Sequence, residues 1–471
     1  MKILTIIQML LVAAVAANAA ASTTKTTYAP KERTTAELRQ RGGLPEFYKK
    51  LRGGDEVRIA YFGGSITEQS GWRVKSADYF KKRFPNAKIV PIHAAIGGTG
   101  SFLGSFRIDR DVLSKSPDLV FVEFAVNDFG LKPEQIRNTM EGVVRKIRKA
   151  NPKTDICFVY TFTEKTLKTI QSGKMYASEA VMEDVADHYA IPSINMCLEI
   201  AKLEKDGKLI MKSPDGVMTA PSGETLDAYA KMPKDAQGRI VFSKDGVHPF
   251  PNTGHVFYMD ALARSFAKLE KMPYRKRAAL PTPISADNYE NAKMIPANDP
   301  AISYFGDAKQ PDKNSQIAKQ FGKKLDAITE MKSGSKMRFK FRGTALAFYD
   351  IIGPHGCKVD VKIDGKPKTS FKTFDGYCTY ARRASNVIAL NLPAENSFRK
   401  KPLRLRQKPR KIRNLHIHAR RRNDTRRNVP SVKKQDITAT KKPASVKNCG
   451  LFIRRAGGIR THDPLVPNQM R

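Results

Sequence analysis

Four short clusters in this chain combine residue types that can do chemistry together. Phe62-Gly63-Gly64-Ser65-Ile66-Thr67 brings an apolar run to two glycines and then a serine. Ala94-Ala95-Ile96-Gly97-Gly98-Thr99-Gly100-Ser101 offers backbone N–H groups with little side chain to block them. Val122-Glu123-Phe124-Ala125-Val126-Asn127-Asp128 ends on an amide and a carboxylate, and Asp245-Gly246-Val247-His248-Pro249 sets a carboxylate and an imidazole three residues apart. A serine hydroxyl is a poor nucleophile until a base takes its proton, and near neutral pH that base is usually histidine. His248 is the candidate base, and Asp245 lies close enough on one turn to fix its tautomer and steady the imidazolium. Attack on an ester carbonyl develops an oxyanion, for which the Ser65 N–H, a glycine N–H and the Asn127 amide are candidate donors.

Such clusters need elements to hold them. Residues 57–64 read as a short buried strand that breaks at glycine, and strand patterns recur at 88–96, 119–126, 156–161 and 191–196. Amphipathic stretches of helical length lie between and after them, at about 72–84, 104–115, 133–149, 176–189 and 254–270. Strand alternating with helix implies a parallel sheet covered on both faces, with function at the C-terminal ends of its strands. Pro273, Pro281 and Pro283 mark a junction into residues 284–395, where no helical period is evident after residue 330. Runs at 336–341, 345–351, 358–363 and 386–392, with turn signals at Asp364-Gly365 and Asp375-Gly376, predict a small β-sandwich. The first unit is expected to survive a cut near 275–283, because its clusters end at His248 and its last helix near Glu270.

Taken singly, the clusters have plainer explanations. Ser65 with Glu68 three residues on could be a helix N-cap closing a capping box. Asn127 and Asp245-Gly246 could be turn residues, His248 a loop histidine, and His255 a structural residue of the last helix. Trp72 and Arg73 closely follow the serine, so packing is their default, with lining of the acyl or sugar pocket the alternative. The glycines at 98, 100 and 104 give G-x-G-x-x-x-G on the second strand, which is not the dinucleotide pattern.

Together and in this order, the clusters resemble the SGNH (GDSL-type) hydrolase family, whose name records Ser, Gly, Asn and His. The resemblance covers about residues 56–270. It implies a three-layer α/β/α, flavodoxin-like catalytic domain over residues 40–272, with Ser65 as nucleophile and His248, partnered by Asp245, as base. It also implies an oxyanion hole from Ser65, Gly98 and Asn127, with Gly97 the competing glycine. The first cluster reads G-G-S-I rather than G-D-S-L, and Ala125 stands where many members have glycine; neither change removes a catalytic atom. The activity implied is a serine esterase acting through an acyl-enzyme, without cofactor or metal. Small sandwiches joined to exported hydrolases often bind glycans, so acylated carbohydrate, acetylated in particular, is the expected substrate, with another small ester or a catalytically silent glycan-binding protein as alternatives.

Composition frames this reading. The 471 residues carry 84 Lys and Arg against 45 Asp and Glu, a formal +39, with mean hydropathy −0.45. That suits a globular protein of two or three domains and excludes collagen-like, wholly disordered and polytopic membrane chains. Lys2, the apolar run Ile3 to Ala17 and the A-x-A close at Ala17-Asn18-Ala19 read as a signal peptide over residues 1–21, so export to periplasm or medium is expected, with no membrane span in the mature protein. Cys157, Cys197, Cys357, Cys378 and Cys449 form neither a dense framework nor a metal spacing, and Cys357 with Cys378 is the one pair placed for a disulfide. Residues 396–471 hold 23 Lys and Arg against three acids, about half the basic excess. A frame-shifted translation, a solvated tail or a nucleic-acid arm would each account for that segment; the reading carried forward has no nucleic-acid partner and a sandwich short of its last strand or two. The positive balance of the remainder favours an acidic polysaccharide.

Overall fold

The computed structural model describes residues 28–212, 233–322, 325–341, 343–354, 356–375 and 379–392, together with the backbone of 413–420, 445–447 and 450–454. The proposed signal peptide, Cys378 and Cys449 lie outside these residues.

The catalytic unit is built on a six-stranded sheet. Its strands are β1 (Leu38–Arg39), β2 (Glu56–Gly63), β3 (Lys88–His93), β4 (Leu119–Glu123), β5 (Asp155–Tyr160) and β6 (Ser193–Asn195), in the order β1-β6-β5-β4-β2-β3. All neighbours are parallel except β1 on β6. β4 and β5 are buried along their whole length, because helices cover both faces. Helices Trp72–Arg83, Ser101–Asp111, Pro133–Ala150, Ala177–His188 and Gly254–Glu270 follow the sequence pattern within a few residues. Pro133–Ala150 shows why: proline opens it, Glu134 sits in its first turn, and Arg148 and Lys149 sit in its last. β3 and β4 flank β2 on opposite sides, so the chain reverses its direction of travel across the sheet at β2. A crevice forms beyond the strand ends at such a point. The boundary at residue 40 falls slightly late, since β1 already pairs with Ile194 through Leu38.

A short parallel pair, β7 (Leu209–Lys212) and β8 (Ile240–Ser243), precedes the histidine loop. The second unit adds β9 (Ala292–Ile295), β10 (Ile302–Phe305), β11 (Ala308–Lys309), β12 (Glu330–Lys332), β13 (Lys336–Phe341), β14 (Ala345–Ile352), β15 (Lys358–Ile363), β16 (Lys366–Lys372) and β17 (Arg382–Ala389). Asp364 and Gly365, with φ of 52° and 78°, make the tight turn between β15 and β16. Met337, Phe339 and Phe341 of β13 alternate inward to meet Leu346, Phe348, Val359 and Val361.

Two expectations are corrected here. The segment beyond residue 395 is not without regular structure: β18 (Arg413–Arg420), β19 (Ser445–Lys447) and β20 (Gly450–Arg454) take places in the sheets. β18 lies between β13 and β15, and β20 between β14 and β9. A period of two in Leu415-His416-Ile417-His418-Ala419 was hidden by the basic residues around it. Nor do the two units meet only through the proline junction. β14 is buried on both faces, with Ala347, Tyr349 and Ile351 packing in one cluster with Phe102, Leu103 and Phe106 of the helix Ser101–Asp111. Glu141 accepts the N–H groups of Ile284 and Ser285, at 2.5 and 2.9 Å, and Arg145 pairs with Glu290 at 2.6 Å.

Candidate active site

The chain reaches the crevice from four directions. Ser65 follows β2 at the first position of the short helix Ser65–Glu68, so Gly64 and not Ser65 is the N-cap. Its hydroxyl is 2.8 Å from His248 Nε2, and His248 Nδ1 is 2.6 Å from Asp245 Oδ2. Asp245 Oδ1 accepts the backbone N–H groups of Val247 and His248, at 3.0 and 2.8 Å. Burial would raise this carboxyl, but the bonds from the His248 ring and from the two N–H groups hold it at about 2. An ionised carboxylate only accepts, so Nδ1 carries the proton and Nε2 presents its lone pair to Ser65 Oγ–H. Three side chains thus form one line along which a proton can leave the serine.

Opposite that line, the ends of β3 and β4 converge on the same point. A Cβ on Gly64 would lie 1.8 Å from Asn127 Oδ1, so only glycine lets the Asn127 amide rest against the serine turn. A Cβ on Gly97 would lie 3.5 Å from Ser65 Cβ, which brings the glycine loop alongside. The choice between the two glycines is narrowed by hydrogen bonding: the Gly97 N–H donates to Glu68 Oε2 at 2.9 Å. That leaves Gly98, whose φ of 70° is open to glycine and rarely to other residues. Glu68 therefore serves the glycine loop and does not close a capping box on Ser65.

Trp72 and Arg73 do not line a pocket. Both are buried, Trp72 packing edge-on against Tyr61 and Phe121 and Arg73 donating to the Thr67 carbonyl at 3.2 Å. His255 is structural. Its Nδ1 accepts the Trp72 N–H at 3.2 Å and its Nε2 faces Gln69 Oε1 at 3.3 Å, while Gln69 Nε2 donates to the Pro249 carbonyl beside His248 at 3.1 Å. Burial, with nearby Lys75, His248 and Arg73, pushes this imidazole down to about 3, so it stays neutral.

Several supporting residues had no role in the sequence reading. Glu123, wholly buried at the end of β4, accepts from Thr67 and Thr161 hydroxyls, each at 2.9 Å, and from the Gly64 N–H beneath the serine turn. Burial raises its pKa against those bonds. Asp128 accepts the Ser101 N–H at 3.0 Å; burial drives it up to about 7, and its second oxygen has no hydrogen-bond partner among the described residues. Arg107, buried over the Phe62 ring, donates to the carbonyls of Ala94 and Gly63 and so ties the ends of β3 and β2 together. Phe129, two residues beyond Asn127, is half exposed. Glu123 and Asp128 stood within recognised clusters, but a carboxylate's burial cannot be read from its neighbours in sequence.

Residues 61–249 match the family described as GDSL-like lipase/acylhydrolase. This region is a GDSL-like hydrolase domain. The protein that carries it is a hydrolase of ester bonds. A crystal structure of a two-domain esterase active on acetylated mannans, co-crystallised with mannopentaose, overlays on 91% of this chain and 100% of its own, with a TM-score of 0.65 and 18% identity. A second crystal structure of a two-domain esterase active on acetylated mannans covers 90% and 99%, with the same score and identity. An acetylxylan esterase from Geobacillus stearothermophilus covers 47% of the chain at 15% identity, with a TM-score of 0.32. No curated protein matches the sequence. The two overlays at 0.65 establish a shared two-domain fold, in which the GDSL-like domain is followed by small antiparallel sheets.

Proposed function

We propose that the protein is a serine esterase that removes acyl groups, acetyl foremost, from carbohydrate. The observation that carries this is the continuous line from Ser65 through His248 to Asp245, at 2.8 and 2.6 Å. His248 takes the Ser65 proton as Oγ attacks the ester carbonyl. The oxyanion falls to the N–H groups of Ser65 and Gly98 and to the Asn127 amide, all held before substrate arrives. His248 then returns the proton to the leaving sugar hydroxyl, an acyl-enzyme remains on Ser65, and water activated by the same imidazole releases the acid.

A sugar substrate is supported by the likeness to a two-domain esterase active on acetylated mannans, which extends through the second domain. Phe129, two residues beyond Asn127 and half exposed, is the aromatic ring we assign to a pyranose. The basic, apolar start of the chain supports an exported enzyme. The test is acetate release from a panel of acetylated mannan, xylan and uronate-bearing glycans, against a Ser65→Ala control. Release that persists in the control ends this reading. A protein that binds glycans but cleaves neither them nor p-nitrophenyl acetate is the silent binding alternative.

A further inference from the structure

Arg383 comes from the second domain, on β17, yet its guanidinium lies 3.7 Å from Glu68 Oε1 in the helix that begins with Ser65. Its direction follows from strand register. Arg383 sits opposite Ile351 of β14, on the face where Tyr349 and Ile351 pack against the catalytic unit. Arg382, one residue earlier and on the other face, turns to Asp375. Arg383 and Glu68 are both largely shielded, with side chains 15% and 28% exposed. An ion pair so placed is less screened than one on the open surface.

Glu68 uses its other carboxylate oxygen to accept the Gly97 N–H at 2.9 Å. That bond fixes the peptide immediately before the Gly98 N–H. Gly98 itself is exposed, and a Cβ there would meet nothing within 4 Å. The loop is tied at its ends by the Ile96 N–H on the Gly63 carbonyl at 3.1 Å and the Ser101 N–H on Asp128 at 3.0 Å; between them the Glu68 bond, with the Thr99 hydroxyl on the Ile96 carbonyl at 2.7 Å, restrains its middle. An oxyanion donor works only when it is already aimed at the place where charge will develop.

We propose that the second domain is a working part of the oxyanion site: Arg383 orients Glu68, and Glu68 orients the Gly97–Gly98 loop. Both are positioning residues, and neither touches the ester. The proposal rests on Ser65 chemistry as described above, and on Gly98 as a donor. It gives the second domain an effect on turnover of the smallest ester, separate from any hold on polymer.

The experiment measures kcat and KM on p-nitrophenyl acetate for the full chain and for Glu68→Ala, Glu68→Gln, Arg383→Met and the double variants. Glu68→Ala should lower kcat about 10- to 100-fold with KM within about twofold, as expected for a mis-aimed donor. Glu68→Gln keeps an acceptor for Gly97 and should recover most of that loss. Arg383→Met should cost kcat roughly 3- to 10-fold, and should add less than about twofold in the Glu68→Ala or Glu68→Gln background, because it acts through Glu68. Normal kcat in Glu68→Ala, or multiplying losses in the doubles, overturns the proposal. If Glu68→Ala does not fold, as judged by thermal melting, the Gln and Met arms decide in the same way. An inactive Ser65→Ala beside an unaffected Glu68→Ala sinks this inference alone; an active Ser65→Ala sinks the esterase mechanism with it.

Discussion

Ser65, His248 and Asp245 act as one unit, so their losses should not add. Ser65→Ala and His248→Ala are each expected to abolish ester hydrolysis while leaving thermal melting unchanged, and the double variant should match either single. Asp245→Asn should reduce kcat on the order of 10³-fold, because the amide can donate to Nδ1 and so favour the wrong tautomer. Near-normal turnover in Asp245→Asn would reduce the machinery to a Ser-His pair. Asn127→Ala should lower kcat by about 10²–10³ with little change in KM, the usual loss for one oxyanion donor. A fall in melting temperature with normal kcat would instead make Asn127 a turn residue.

Elements hold these residues through buried polar groups whose protonation couples site to stability. Asp128 ends the turn that carries Asn127 and caps the start of the helix Ser101–Asp111 through the Ser101 N–H. Its carboxyl is raised in the fold from the usual 3.8 to about 7. The folded protein therefore binds this proton more tightly than the unfolded chain. The stability so gained is complete below about pH 4 and is lost as pH rises through about 7. Asp128→Asn keeps the shape and removes the titration. It should melt close to the parent below about pH 4 and clearly higher than the parent at pH 8, by differential scanning calorimetry. A gap independent of pH would mean that Asp128 is ionised throughout. His255 works in the opposite sense: with its pKa lowered to about 3, its contribution is present above the ordinary histidine range and is lost as pH falls towards 3.

At the scale of the whole molecule, the helix that follows the glycine loop is covered by the second domain. Phe102, Leu103 and Phe106 pack with Tyr289, Ala347, Tyr349 and Ile351, and cutting the chain near residue 280 would turn that cluster out to water. Burying a Phe, Leu or Ile side chain is worth about 1.5–3 kcal/mol. A protein ending at residue 275 is thus expected to aggregate or to melt roughly 10 °C or more below the full chain. An isolated catalytic unit that melts and turns over like the whole would show that the shared cluster contributes little. Among the described residues no helix is long and apolar enough to cross a membrane.

Much of this was legible in the chain itself. The alternation of strands and helices, the order of the four clusters and the pairing of Asp245 with His248 follow from short-range spacing and from apolar periodicity, which local sterics and burial translate directly into elements. The sandwich strands at 336–341, 345–351 and 358–363 were visible for the same reason. Only tertiary structure decided the fate of side chains whose surroundings come from distant segments. Trp72 and Arg73 sit next to the serine helix in sequence, yet Tyr61, Phe121 and the Thr67 carbonyl enclose them. Glu68 could have capped its own helix, but a loop 29 residues away supplied a better donor in the Gly97 N–H. Arg383 lies far along the chain from Ser65, and no pattern in either segment records their meeting. Periodicity encodes which face of an element is buried; it does not encode what the opposing surface brings to it.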